Sequence, residues 1–296
     1  MENYSLIYTS TISFLFSFGF KVLLDDNFAT IVSGIEEGRA LFDNLKKSIG
    51  YVLTHNMAEL FAFFVWFFLS LPAPLGAITV LLIELGTDMV PSIMFAYDPP
   101  ELGIMERPPR DPRRDRMVSV KLLLWCYTFT GLVEGIGSMV PYFIIMADNG
   151  FHFQTIFFTS LDFESNYTND FLDSYGQQWT YAQRMQLEHL AWSGYFFGLM
   201  EIQWGNLLVK RTRRNSMLEK GIANDGVTFA LFFETLLAVL LVYVPFLNYV
   251  LYTQPLAFRW VLCSLPFTLW FIISDEIRKA IIRRWPNGHI RKLTEY

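Results

Sequence analysis

A chain of 296 residues with 53% hydrophobic and 17% aromatic residues, including 29 Phe, lies outside the composition of ordinary soluble domains. Its formal charge of −5, from 23 Lys and Arg against 28 Asp and Glu, comes with no basic patch suited to nucleic acid. Two cysteines, Cys126 and Cys263, make neither a disulfide framework nor a Cys/His metal motif, and both read as buried free thiols.

In chain order, Met1–Phe20 (MENYSLIYTSTISFLFSFGF) is apolar from Ser5 onward. Glu2, the absence of Lys and Arg, and the lack of a small-residue cleavage site argue against a signal peptide. A seventh span is the other alternative; the stretch reads as a divergent or artefactual start. Lys21–Asn44 follows, with a short apolar strand before Asp25-Asp26 and then a helix leading toward the membrane. The Asp25-Asp26 pair invites an acid or magnesium role but suits a turn and helix start better.

Six apolar runs come next: Ile49–Leu71, Leu75–Tyr97, Val120–Met146, Leu187–Val209, Val227–Leu247 and Phe258–Ile273. A spanning helix needs about 20 largely apolar residues, which these lengths approach or exceed. The first two are joined by Pro72-Ala73-Pro74. All Lys and Arg except Arg184 and Arg259 fall before the first run, in Asp98–Lys121, in Lys210–Lys220 or after Ile273. The positive-inside bias therefore places both ends in the cytoplasm. The expected fold is an all-α, multi-pass bundle of six transmembrane helices embedded in membrane lipid.

The first two runs carry acids at mid-span, Glu59 in one and Glu84 and Asp88 in the other. A charge near the bilayer centre costs about 2.5 to over 10 kcal/mol on different scales, so it faces a partner or a pathway. Glu84, Thr87 and Asp88 are spaced to share one helical face. Asn56 and Glu59 share another, with Tyr51 and His55 beside it. Three carboxylates around one polar cavity repel unless cations or protons neutralise them, and hard cations favour such oxygen ligands. Helix–helix glue is the alternative, and for Asn56 or Gln203 alone it serves equally well.

The loop Ala147–Glu188 is long and acidic, as an extracytoplasmic segment should be. It holds the cluster Ser174-Tyr175-Gly176-Gln177-Gln178-Trp179 and the glycosylation sequon Asn166-Tyr167-Thr168. Arg213-Arg214-Asn215-Ser216 has the basic spacing of a kinase site, making Ser216 a candidate acceptor; surface anchoring explains the arginines as well.

DNLKKSIGYVLTHNMAE followed by IELGTDMVPS closely resembles the fifth and sixth membrane helices of P-type cation pumps. The similarity is to the α-subunits of sodium/potassium and proton/potassium ATPases. It continues through FAYDPPELGIMERPPRDP, DSYGQQWTY, Arg211–Ser216 and SDEIRKAIIRR, covering about Val22–Tyr296. This resemblance implies cation coordination by Asn56, Glu59, Glu84 and Asp88, with Thr87 and Gln203 nearby. It puts Tyr51, Thr54, Gln203, Asn206 and Glu234 at a third sodium site. The implied cargo is sodium or potassium, with protons, while magnesium and ATP belong to a complete pump. Ser174, Tyr175, Gly176, Gln177, Gln178 and Trp179 resemble the segment that grips a single-span β-subunit. The implied location is the plasma membrane.

Five departures from the family pattern stand out. His55 takes the place of Ser in the sodium pump and Lys in the gastric proton pump. It is either a tethered charge that tunes the site or a hydrogen-bonded neutral ring. Glu84 replaces the sodium pump's Asp and matches the proton pump's Glu. Ala58 stands where the family has Pro, so the helix should be less unwound. Asn206 replaces an Asp, which should weaken a third monovalent cation. The tail Lys292–Tyr296 lacks the sodium pump's terminal Tyr pair.

The expected organisation is residues 1–21 as a divergent start, 22–48 as a remnant of the phosphorylation domain and stalk, 49–276 as the ion-transport domain and 277–296 as a cytoplasmic tail. DKTGT, TGES, TGDGVND, the nucleotide-binding domain and the PEGL-type helix are not found. The chain is thus expected to be the C-terminal ion-binding and transport part of such a pump, with no catalytic residue and no turnover alone. Two alternatives remain: a non-catalytic regulator that binds a β-subunit or a full-length α-subunit, and a passive cation channel.

Overall fold

The first described element, α1, is one uninterrupted helix, Phe28–Leu69, of 42 residues. At 1.5 Å per residue it is about 63 Å long, twice the thickness of a bilayer's hydrocarbon core. Its first half therefore stands outside the membrane as a stalk. No proline interrupts it at position 58, where Ala58 lies fully buried, so the ladder of backbone hydrogen bonds continues past the mid-span acids.

The computed structural model describes residues 28–296 except 102, 107, 110–114, 213–214, 218–224, 286–287 and 295–296. The expectations for Met1–Phe20, the strand before Asp25, the Asp25-Asp26 pair, Arg213-Arg214 and the last two residues lie outside the described residues.

After a turn in which Tyr142 and Trp192 donate 2.7 Å hydrogen bonds to the carbonyls of Pro72 and Ala73, α2 runs Ala77–Tyr97. Its middle, Ile83–Asp88, is wound as a π-helix. Pro91 offers no N–H to the turn before it, and Gly86 loosens that turn further. The wider winding falls on the stretch that carries Glu84, Thr87 and Asp88, a placement common at functional sites.

α3 (Val120–Asp148) opens on a Ser119 cap, whose Oγ accepts from the Leu122 N–H at 3.2 Å. The outer loop folds into the short α4 (Ser160–Glu164) and a two-residue hairpin, β1 (Phe171–Leu172) against β2 (Gln178–Trp179). α5 (Tyr181–Lys210) begins with a capping box between Thr180 and Gln183. α6 (Asp225–Tyr243) stops before Pro245, whose ring pushes Val244 to an extended conformation. α7 (Pro245–Leu251), α8 (Phe258–Val261), α9 (Leu265–Arg284) and α10 (His289–Thr294) complete the described chain.

Among the described residues, five helices are long and apolar enough to cross a membrane: Ala29–Leu69, Ala77–Tyr97, Val120–Asp148, Asp225–Tyr243 and Phe258–Arg284. The chain is an all-α, multi-pass membrane protein. The remaining expected span, Leu187–Val209, lies within α5, which carries Glu188, Glu201, Gln203 and Asn206. α5 packs along α3 and α9 and also touches α1 and α6, so its surface meets protein rather than lipid and need not be apolar. Two of the boundaries that differ from expectation trace to breaks in the helices. The fifth span ends at Tyr243 rather than Leu247 because of Pro245. The sixth is broken at Leu262–Ser264 and runs on to Arg284. Phe67, Phe68, Leu85, Phe232 and Trp270 project outward as a lipid-facing surface. Cys126 is buried as expected, but Cys263 is only half-buried.

Candidate cation site

His55 is the centre of the bundle's polar interior. It lies one turn before Glu59 on α1 and has no exposed surface. Its Nε2 is 3.2 Å from Asp88 Oδ2 on α2 and 3.8 Å from Glu59 Oε1. Its Nδ1 is 3.3 Å from Glu134 Oε1 on α3. Gln203 of α5 brings its Nε2 to 2.7 Å from the same Nδ1 and also donates to Asp88 Oδ1. Four helices therefore meet at one imidazole.

The other expected residues surround this centre. Glu84 is half-buried, with its carboxyl facing that of Glu59. Thr87 is buried, and its hydroxyl donates back to the Ile83 carbonyl at 3.0 Å. Thr54 donates to the Gly50 carbonyl at 2.9 Å and shares a 3.0 Å hydrogen bond with Thr130. Asn206 donates from Nδ2 to Glu134 Oε2 at 3.4 Å. Tyr51 and Glu234 of α6 are fully buried and close to one another. Asn56 is half-buried.

Several buried oxygens make no hydrogen bond: Tyr51 Oη, Asn56 Oδ1, Gln203 Oε1, Asn206 Oδ1 and both carboxyl oxygens of Glu234. Glu59 Oε1 and Asp88 Oδ2 have only the charge contact with His55. Buried polar atoms are ordinarily satisfied, so a cluster of orphans marks room for a cation, a proton or water. The acids encircle the ring rather than converge on one point. Among the described residues, no three His, Cys, Asp or Glu side chains converge to hold a metal ion.

Sequence reasoning passed over Glu134. It is a fully buried acid at mid-span in α3, and the rule that singled out Glu59, Glu84 and Asp88 applies to it equally. Thr130 and Ser138 stand one turn before and after it, so its run also carried polar residues at helical spacing.

Outside the membrane, the turn Ser174–Trp179 is built on Asp173. Its Oδ1 accepts from the N–H groups of Tyr175 and Gln177 at 2.9 and 2.8 Å, and its Oδ2 from Trp179 Nε1 at 3.2 Å. Burial works against the Asp173 charge, but the donors of Gln177, Trp179, Tyr175 and Gly176 outweigh it and hold the carboxyl below its ordinary range. Gly176 turns the chain at φ +80°, which a side chain would resist. Tyr175 is 70% exposed, whereas Trp179 is half-buried against Phe151 with ring centroids 5.1 Å apart. Gln177 and Gln178 are exposed, and so is Asn166 of the sequon. Away from this loop, Ser216 is buried and donates to Glu276 Oε2 at 2.7 Å.

Residues 72–281 match the family model described as "Cation transporting ATPase, C-terminus". Over 275 residues, 93% of the chain, it is 45% identical to sodium/potassium-transporting ATPase subunit alpha-4 of Rattus norvegicus. Identity is 44% to the alpha-4 subunit of Homo sapiens and to the alpha-2 subunit of Bos taurus over the same length. The aligned stretch spans 27% of the length of each of these relatives.

Proposed function

The chain belongs to the cation-transporting ATPases, whose C-terminal part it matches, and from that membership we propose that its bundle binds and moves cations for a sodium/potassium- or proton/potassium-exchanging pump. The observation that carries this reading is the ring of buried acids from three helices, Glu59, Asp88 and Glu134, around His55. Glu59, Glu84 and Asp88 are the proposed carboxylate ligands, with Asn56, Thr87 and Gln203 supplying neutral oxygens. Tyr51, Thr54, Gln203, Asn206 and Glu234 are the proposed residues of a third cation site, which Asn206 in place of an acid weakens. His55 tunes the site, because an imidazolium among these acids takes the place of one transported charge.

In this reading ATP and magnesium act on the pump's phosphorylation machinery, and the membrane bundle answers by exposing its site to alternate sides. A single-span β-subunit docks on the Ser174–Trp179 turn at the plasma membrane, and Asn166 is a glycan acceptor there. Ser216 is a phosphate acceptor only after its bond to Glu276 opens.

The test is a graft of residues 22–296 onto a competent pump head and first four helices. We expect fewer charges moved per ATP than by a sodium pump, and more after His55→Ser with Asn206→Asp. Voltage-clamp current measured against ATP hydrolysis decides it. A graft as electrogenic as the sodium pump, and indifferent to the double change, would refute the His55 assignment. A graft in which Glu59→Gln and Asp88→Asn leave transport intact would refute the site.

A further inference from the structure

We propose that the loop between α3 and α5 inserts Phe158 and Leu161 into the nearer leaflet of the membrane, making the start of α4 a lipid-interface anchor. The anchor uses none of the cation-site residues and stands whether or not that site binds cations.

Two backbone hydrogen bonds fix the segment to α1. The N–H of Phe158 donates to the Leu69 carbonyl at 3.0 Å, and that of Ser160 to the Ser70 carbonyl at 2.9 Å. Leu69 is the last residue of α1. Phe68 and Phe67 lie only about 1.5 and 3 Å back from it along the helix axis. Both of those rings are largely exposed and belong to the lipid-facing surface of the bundle. The loop therefore meets α1 at the level where that surface ends.

The side chains of this segment divide into two sets. Ile156, Ser160 and Phe163 point inward and are buried. Arg184 clamps the same segment from α5, donating to the carbonyls of Phe163 and Ser165 at 2.8 Å each. Between these inward anchors, Phe158 is 73% exposed and Leu161 87% exposed. Phe158 also has φ +60°, and Ser70, to which the segment bonds, has φ +45°. A bulky residue seldom adopts that conformation, so the surrounding bonds hold the backbone in it. The held turn keeps a phenyl ring facing outward.

Single exposed apolar residues are common on any protein. Here two large ones stand three residues apart on a clamped segment, next to exposed rings that face lipid. Such a surface is unfavourable in water and favourable at the boundary between headgroups and acyl chains.

Charge selects the kind of lipid. Asp162 and Glu164 on α4 are exposed. Arg184 is the only Lys or Arg in residues 147–188 and is fully buried. The contact is thus apolar insertion into zwitterionic lipid, with no exposed basic cluster to draw anionic headgroups. Farther along, Asn166 and Tyr167 are exposed in a polar stretch with Asn169 and Asp170. That part stands in water and supplies the reference.

The test is nitroxide labelling of the full chain in phosphatidylcholine nanodiscs. Leu161→Cys and Tyr167→Cys are each labelled on a Cys263→Ser background, because Cys263 is half-buried whereas Cys126 is buried. Collision with oxygen, which concentrates in lipid, is compared with collision with a neutral nickel chelate, which stays in water. The oxygen-to-nickel ratio at position 161 should exceed that at 167 several-fold, and neither high salt nor anionic lipid should change it. Equal ratios at the two positions overturn the proposal. A ratio at 161 that rises only with anionic lipid also overturns it, since the contact is then electrostatic. A label at 161 that is open to nickel in nanodiscs, but shielded when a purified single-span β-subunit is added, assigns the surface to a protein partner and overturns it as well. If Leu161→Cys does not fold, Phe158→Cys is labelled in its place and read against position 167 by the same criterion.

Discussion

The hydroxyl of Tyr195 on α5 donates a 3.0 Å hydrogen bond to the carbonyl of Ala58 on α1. Both residues are fully buried, and the bond ties the two helices between His55 and Glu59. It gives the Ala58 carbonyl a partner across the bundle in addition to its own helix. In a low-dielectric interior such a bond also fixes the rotation of α1, and with it the direction of the acids.

Tyr195→Phe should therefore lower stability by about 1 kcal/mol, the net worth of a buried hydrogen bond. Thermal unfolding in detergent measures that cost. Rubidium affinity should fall too, since α1 gains freedom to rotate. A variant with lower melting temperature and unchanged affinity would limit Tyr195 to a structural part.

Arg184 is the clasp of the outer loop. Fully buried, it donates to the carbonyls of Phe163, Trp179 and Ser165 at 2.8, 2.9 and 2.8 Å. Arg184→Ala should cost about 3 kcal/mol or more by leaving buried carbonyls unpaired. Arg184→Lys should rescue little, because an ammonium cannot reproduce the guanidinium fork. Limited proteolysis within residues 150–180 should speed up in both variants.

Asp173 makes the hairpin sensitive to acid. Its folded-state pKa is depressed by the Gln177, Trp179, Tyr175 and Gly176 donors, which overcome its burial. A depressed carboxylate contributes stability above its unfolded pKa of about 3.9 and loses it as pH falls through the folded value. Protection of the Tyr175 and Gln177 amides, exchange taken relative to the intrinsic rate at each pH, should fall below that range. In Asp173→Asn, protection should be low and nearly independent of pH, which mass spectrometry can read.

Tyr175 and Trp179 should separate when a β-subunit is offered. Tyr175 is 70% exposed, with its hydroxyl 3.0 Å from His152 Nε2, while Trp179 packs inward on Phe151. Tyr175→Ala should weaken pull-down of a single-span β-subunit without changing thermal stability. Trp179→Ala should lower stability by about 2 kcal/mol, somewhat less than truncating a fully buried aromatic, because the ring is half-buried. Equal losses of stability in the two variants would remove the distinction.

Much of this was legible in the residues. Apolar run length, the clustering of Lys and Arg between alternate runs, and acids placed inside those runs are one-dimensional signals, and each has a direct cost in lipid. They specified an all-α multi-pass chain, the sites of most helices, and the polar faces of α1 and α2. Helix ends were less legible where proline acted: Pro245 cut α6 short, and the chain broke at Leu262–Ser264 before α9 ran on to Arg284.

Only the tertiary structure decided which acids met. Residues His55 and Glu134 are 79 positions apart, and nothing in either run's periodicity specifies the other as its partner. That pairing depends on how closely two helices approach, which Gly131 and Gly135 set through side chains they do not have. α5 shows the same limit from the other side. Its polar residues look wrong for lipid in sequence and become ordinary once α3 and α9 cover it. Sequence determines what each helix can bury; packing determines which buried charge answers which, because electrostatic partnership is settled by distances of a few ångströms.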